Sequence, residues 1–109
     1  MSIIDRDVIM RQLRFLQQLL RRALRLQEQQ DLPAALDTIR GGYREALGVP
    51  YEMLSRVDIA SARLLLSSRE RQSAYAELLR AEAGVLRAQD DAATATQLEQ
   101  RAGQLLGQT

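Results

Sequence analysis

The chain contains no Cys, no His, no Lys, no Asn and no Trp, with a single Phe and two Pro among its 109 residues. Each absence removes a class of chemistry. Without Cys there is no disulfide framework, thiolate metal site or thiol nucleophile. Without His there is no side chain that ordinarily titrates near neutral pH, and the Glu-x-x-His pattern of di-iron bundles cannot be written. Without Lys there is no Schiff-base amine. Aromatic residues make up only 4% of the chain, so a core must be built from Leu, Ala, Ile and Val, as helix-on-helix packing usually is. β-branched residues and turn clusters are sparse, which leaves little to build a sheet from. No apolar run approaches the ~20 residues of a membrane span. The opening Met1-Ser2-Ile3-Ile4-Asp5-Arg6-Asp7 lacks the basic-then-apolar order of a signal peptide. The expected compartment is the cytoplasm, with no membrane span.

What is present is 46% hydrophobic and 27% charged, the balance of one folded domain. The net charge of +1 gives the whole molecule no attraction for polyanions. Every basic residue is Arg, which with the abundant Ala fits a GC-rich bacterial coding sequence. Leu, Ala, Gln, Glu and Arg dominate, all strong helix formers. From Asp5 to about Gln29 apolar residues recur at three- and four-residue spacings. They form two adjacent rows, Ile9, Leu13, Leu16, Leu20 and Ala23 beside Val8, Phe15, Leu19 and Leu26. A stripe that wide packs against two neighbours.

A break at Gln30-Asp31-Leu32-Pro33 follows, with Asp31 as cap and Pro33 in the first turn of a second helix to Leu47. Gly41-Gly42 in its middle costs roughly 1 kcal/mol per Gly relative to Ala, a cost understandable where a neighbouring helix comes close. Gly48 and Pro50 end it. Residues 51–67 read as short helices, with Ser55-x-x-Asp58 resembling a capping box that opens Ile59 to Leu66. Ser67-x-x-Glu70 resembles another, opening a long helix from Arg69 to Gln89 with Tyr75, Leu78, Leu79, Val85 and Leu86 inward. Asp90-Asp91 caps the last helix, whose apolar face is Ala95, Leu98, Ala102, Leu105 and Leu106. The expected fold is therefore all-α: about five helices in one domain, hairpins over 5–47 and 69–106 joined by short helices, as a bundle or a tetratricopeptide-like stack.

The hairpins also echo one another at an offset of about sixty residues. Leu19, Ala23, Leu26, Asp31, Ala35 and Gly42 fall on Leu79, Ala83, Leu86, Asp91, Ala95 and Ala102. The register fails where Leu36 meets Thr96 and Ile39 meets Glu99. Asp31-Leu32-Pro33-Ala34-Ala35-Leu36 resembles the start of a tetratricopeptide second helix. The run Asp5-Arg6-Asp7-Val8-Ile9-Met10-Arg11-Gln12-Leu13, followed by this hairpin and by Leu47-Gly48-Val49-Pro50, resembles an uncharacterised family of small bacterial all-helical, tetratricopeptide-like proteins. That family opens with Asp-x-(Ile/Leu)-(Met/Leu)-Arg-x-(Ile/Leu). The resemblance implies a fold and no activity.

A search for chemistry finds no nucleophile elbow, phosphate-binding loop or dinucleotide fingerprint. The carboxylate pairs Asp5/Asp7, Asp90/Asp91 and Glu70/Glu77 are explained by helix geometry or capping. No catalytic, cofactor-binding or metal-binding residue is assigned, and no cofactor is expected. The reading that remains is a non-catalytic interaction or assembly module with a protein partner or itself, as a homodimer. Its surface would draw on Val8, Phe15, Leu19 and Leu26. In repeat geometry a groove would be lined by Leu20, Leu24 and Gln27 from the first hairpin and by Glu77, Arg80 and Arg87 from the second. The alternative is nucleic-acid binding, with Arg11, Arg14, Arg21, Arg22 and Arg25 as a phosphate strip.

Overall fold

The helix formers at the head of the chain make one long helix, α1 (Arg6–Glu28), in the computed structural model, which describes residues 6–107. Asp5, the expected start of the first hairpin, lies outside the described residues. Six further helices follow: α2 (Leu32–Gly41), α3 (Tyr43–Leu47), α4 (Tyr51–Leu54), α5 (Ile59–Leu66), α6 (Arg69–Ala88) and α7 (Ala92–Leu105). No strand occurs among the described residues. The fold is all-α.

Two of the helix starts differ from their expected caps. Asp58, not Ser55, caps α5 by accepting from the Ser61 N–H at 2.8 Å, while Ser55 closes α4. Ser68, not Ser67, caps α6 by accepting from the Arg71 N–H at 3.1 Å. Ser67 instead ends α5 with φ of +64°. In both cases the chain needs one group to close a helix before another opens the next, and two polar residues, adjacent at Ser67-Ser68 and three apart at Ser55 and Asp58, divide the work.

The α1–α2 and α6–α7 turns have the same backbone. Gln30 and Asp90 are left-handed, at φ of +63° and +64°. The Asp31 N–H reaches back to Leu26 C=O and the Asp91 N–H to Leu86 C=O, each at 2.9 Å. Gln30 and Asp90 donate to Gln27 and Arg87 at 3.0 Å. These are paired Schellman closures, and each is followed by an aspartate whose side chain caps the next helix, through Ala34 and Thr94 N–H groups. The register failures of the echo have a packing reason. Ile39 is fully buried, while Glu99 is exposed and paired with Arg87. The outer side of α7 faces water where α2 packs inward, against α6.

α6 is the central helix, touching α1, α2, α3, α5 and α7. Its buried residues, among them Ala74, Ala76, Leu78, Ala83 and Val85, lie around much of its circumference. The two rows of α1 meet two neighbourhoods: Leu16 and Ala23 are buried in the core, as is Leu19, where Gly42 approaches.

The expected helix from Pro33 to Leu47 is broken. Gly42 ends α2 and begins α3, with φ of −93° and ψ of −2°. A Cβ on Gly42 would collide with both δ-carbons of Leu19, which is itself 7% exposed, whereas one on Gly41 would meet nothing within 4 Å. The close-approach explanation therefore belongs to Gly42 alone. Gly42→Ala is expected to destabilise by about 1–3 kcal/mol, since Leu19 must leave its packed rotamer. Gly41→Ala should be neutral or stabilise by up to about 1 kcal/mol. Urea unfolding of the two variants checks the opposite signs.

Candidate functional site

The C-terminal half of α1 and the middle of α6 run side by side in the same direction. Gln12 Oε1 accepts from Arg71 Nε at 2.9 Å near the start of both helices. Further along, the pair encloses an open hollow of about 220 Å³ lined by Leu20, Ala23, Leu24 and Gln27 of α1, Ile39 of α2, and Arg80, Ala81 and Gly84 of α6. Ile39 and Ala23 are buried and form its floor; Leu24, at 56% exposure, stands at its rim. Gly84 carries no side chain, and a Cβ there would meet nothing within 4 Å. The wall of α6 is low at that point, which leaves the hollow open.

The residues proposed for a partner surface are thus separated. Leu20, Leu24, Gln27 and Arg80 come together in this groove. Glu77 is exposed on α6, one turn before Arg80. Arg87 is exposed but engaged, forming an ion pair with Glu99 and a 3.3 Å hydrogen bond to Thr96 Oγ1. Leu19 is in the core, Phe15 and Leu26 pack against it, and Val8 is half-buried. That row is drawn inward because α2 and α3 cover the side of α1 that carries it. Arg11, Arg14, Arg21, Arg22 and Arg25 are all exposed. They do not form one strip, because Arg22 turns toward a separate hollow with Phe15, Asp37 and Thr38.

A second constellation lies inside the protein, where sequence reasoning placed only core. Glu82 of α6 is 1% exposed. Its Oε2 accepts from Arg40 Nε and a terminal guanidinium nitrogen at 3.0 and 2.9 Å, and from Tyr51 Oη at 3.4 Å. Its Oε1 and the Tyr43 hydroxyl are buried without a hydrogen-bond partner. Both residues line a cavity of about 60 Å³, with Tyr51, Tyr75, Leu98 and Arg101. All three tyrosines of the chain meet here: Tyr43 stands edge-on to Tyr51 and Tyr75, with centroids 5.2 and 5.8 Å away. Arg40 lies over the Tyr51 ring and Arg101 over the Tyr75 ring. Arg101 also donates to Tyr75 Oη at 3.0 Å and to the Leu54 and Val57 carbonyls at 2.9 and 2.8 Å. Burial raises the Tyr43 hydroxyl well above the ordinary tyrosine value, and it raises Tyr51 and Tyr75 as well.

This cluster clamps elements together. Arg40 ties α2 to α6, and Arg101 ties α7 to the end of α4 and the turn beyond it. Its one carboxylate is already held by a guanidinium, so it is a poor general base as arranged. The signal for it was in the sequence. In α6, Tyr75, Leu78, Leu79, Val85 and Leu86 define a buried stripe, and position 82 falls at its centre. A carboxylate there demands a cation that reaches in to it, as the part-exposed Arg40 does.

Among the described residues no group of three or more carboxylates gathers to hold a metal ion. No described helix is long and apolar enough to cross a membrane. No family model, curated protein or solved structure matches the chain.

Proposed function

We propose that this chain is a non-catalytic interaction module built from two tetratricopeptide-like hairpins, α1–α2 and α6–α7. In this reading the groove between the two first helices, α1 and α6, receives a partner protein. The carrying observation is Leu24, more than half exposed at the rim of a hollow whose floor is made by Ala23 and Ile39. The matched turns at Gln30-Asp31 and Asp90-Asp91 support the hairpin reading. The missing His, Cys and Lys, and the engagement of Glu82 by Arg40, support a role without catalysis.

A photo-crosslinking residue placed at Leu24 in the expressing cell tests the module directly. The expected result is an adduct with one defined polypeptide, absent when the same residue replaces the exposed Arg44 on α3. No adduct at position 24, or identical adducts at both positions, would remove the proposal. Light scattering of the pure chain separates a second copy from a different partner.

A further inference from the structure

The charges beside the groove specify what fills it. Along α1, Met10, Leu13, Gln17, Leu20, Leu24 and Gln27 follow the alternating three- and four-residue spacing of a helix–helix seam. The row covers about 26 Å of helix at 1.5 Å per residue. Met10 and Leu24 are exposed and Leu13 and Leu20 half-buried, so the seam is closed on one side only. The hollow of about 220 Å³ is smaller than the roughly 300 Å³ at which small-molecule pockets begin. It suits an apolar side chain projecting from a partner helix.

Next to this row, on the solvent side of α1, stand Arg14, Arg21 and Arg25, and Arg80 stands across the groove on α6. All four are exposed, and none takes part in an ion pair among the described residues. The nearby acids are Glu28 on α1 and Glu77 on α6, both exposed. With Asp7, two turns before Arg14 on the same face of α1, the row has four guanidinium groups against three carboxylates. Around the hollow itself Arg21, Arg25 and Arg80 outnumber Glu28 and Glu77, which leaves the rim positive around an apolar floor.

We infer that the groove takes an amphipathic helix with acidic flanks, contributed by another polypeptide. Its apolar side chains enter between Leu20, Leu24 and Ala81, and its Asp or Glu residues pair with Arg21, Arg25 and Arg80. This inference rests on the interaction reading above. A second copy is a poor occupant, because a two-fold contact centred on Leu24 brings Arg21 and Arg25 against their own images. Nucleic acid is poorer still: the floor is aliphatic and no aromatic ring lines the groove for a base to stack on.

The test is a displayed library of helical peptides, panned on the full chain, with the enriched peptides sequenced and titrated as synthetic probes. Enriched sequences should carry apolar residues at three- and four-residue spacing with Asp or Glu beside them. Their affinity should fall more than about tenfold on Leu24→Asp, as loss of one buried leucine contact predicts. The double reversal Arg21→Glu/Arg25→Glu should also weaken them about tenfold, and Lys-for-Glu versions of the peptides should regain binding to it. Circular dichroism of each variant confirms that its helices are intact. Peptides that are enriched and lost on Leu24→Asp, but are neutral or basic, overturn the acidic partner and leave the groove standing. No enrichment, or enrichment indifferent to Leu24→Asp, overturns both. A dimer abolished by Leu24→Asp assigns the groove to a second copy. Salt-sensitive duplex DNA binding lost in the Arg reversal assigns the rim to nucleic acid, and either result overturns the inference.

Discussion

Arg40→Ala should destabilise the protein by about 3 kcal/mol, the lower part of the range for stripping a buried charge of its partner. The reason lies in what is left behind. Glu82 stays buried in the middle of α6, and its Oε1 already has no hydrogen bond. With the guanidinium gone, Oε2 keeps only the long 3.4 Å contact from Tyr51. The estimate sits low in the range because the Arg40 side chain is 37% exposed, so the space it vacates admits water to the carboxylate. The loss is a desolvation effect and not the worth of the ion pair itself. Replacing both partners by leucine should therefore recover most of it, since no buried carboxylate remains to be solvated. Chemical denaturation of Arg40→Ala, Glu82→Leu and the double variant Arg40→Leu/Glu82→Leu gives the three values. If the double variant were as unstable as Arg40→Ala, the ion pair itself would be the stabilising element.

That network marks the boundary of what was legible in the sequence. Helical class, the two hairpins and the aspartate caps at Asp31 and Asp91 are local properties, written in periodicity and capping chemistry, and the structure repeats them. So were the inward faces of α6 and α7, where Tyr75, Leu78, Leu79, Ala95 and Ala102 are buried as the spacing predicts. The cap of α6 was misassigned by one position because the adjacent hydroxyls of Ser67 and Ser68 compete for it, and that of α5 by three because Ser55 closes α4 while Asp58 opens α5. The break at Gly42 depends on Leu19, twenty-three residues earlier, coming into contact with that backbone. Pairing of Arg40 with Glu82 spans forty-two residues, and nothing in either local pattern names the other. Leu20, Leu24, Gln27 and Arg80 meet in one hollow because α1 and α6 lie side by side, whereas Glu77 and Arg87, expected on the same groove, do not line it. The second row of α1 carried no guide to its neighbour: whether Phe15 and Leu19 face a partner or α2 is settled only by how the two helices dock.

The composition that excludes so much chemistry also makes the alkaline behaviour of this protein unusually readable. With no Lys and no Cys, tyrosine is the only side-chain type that ionises between about pH 9 and 12, since guanidinium groups stay charged. All three tyrosines belong to the Glu82 cluster, and burial is the leading cause holding each above the ordinary value of 10.0. In the unfolded chain the same hydroxyls ionise near that ordinary value. Above it the unfolded state therefore binds fewer protons than the folded state, and unfolding stability falls as pH rises. The stability held below pH 10 is thus lost progressively through the raised folded values. Tyr51, the most accessible of the three, should titrate first. Tyr43 and Tyr75 should ionise together with the loss of helical circular dichroism, in one cooperative step above pH 10. The Tyr43 hydroxyl makes no hydrogen bond, so Tyr43→Phe gives up none; it should keep neutral-pH stability and move the alkaline transition upward. Tyrosinate absorbance and far-ultraviolet circular dichroism followed through the same titration decide the matter. Three tyrosines ionising near pH 10 with the helices intact would mean that the aromatic cluster is open to solvent.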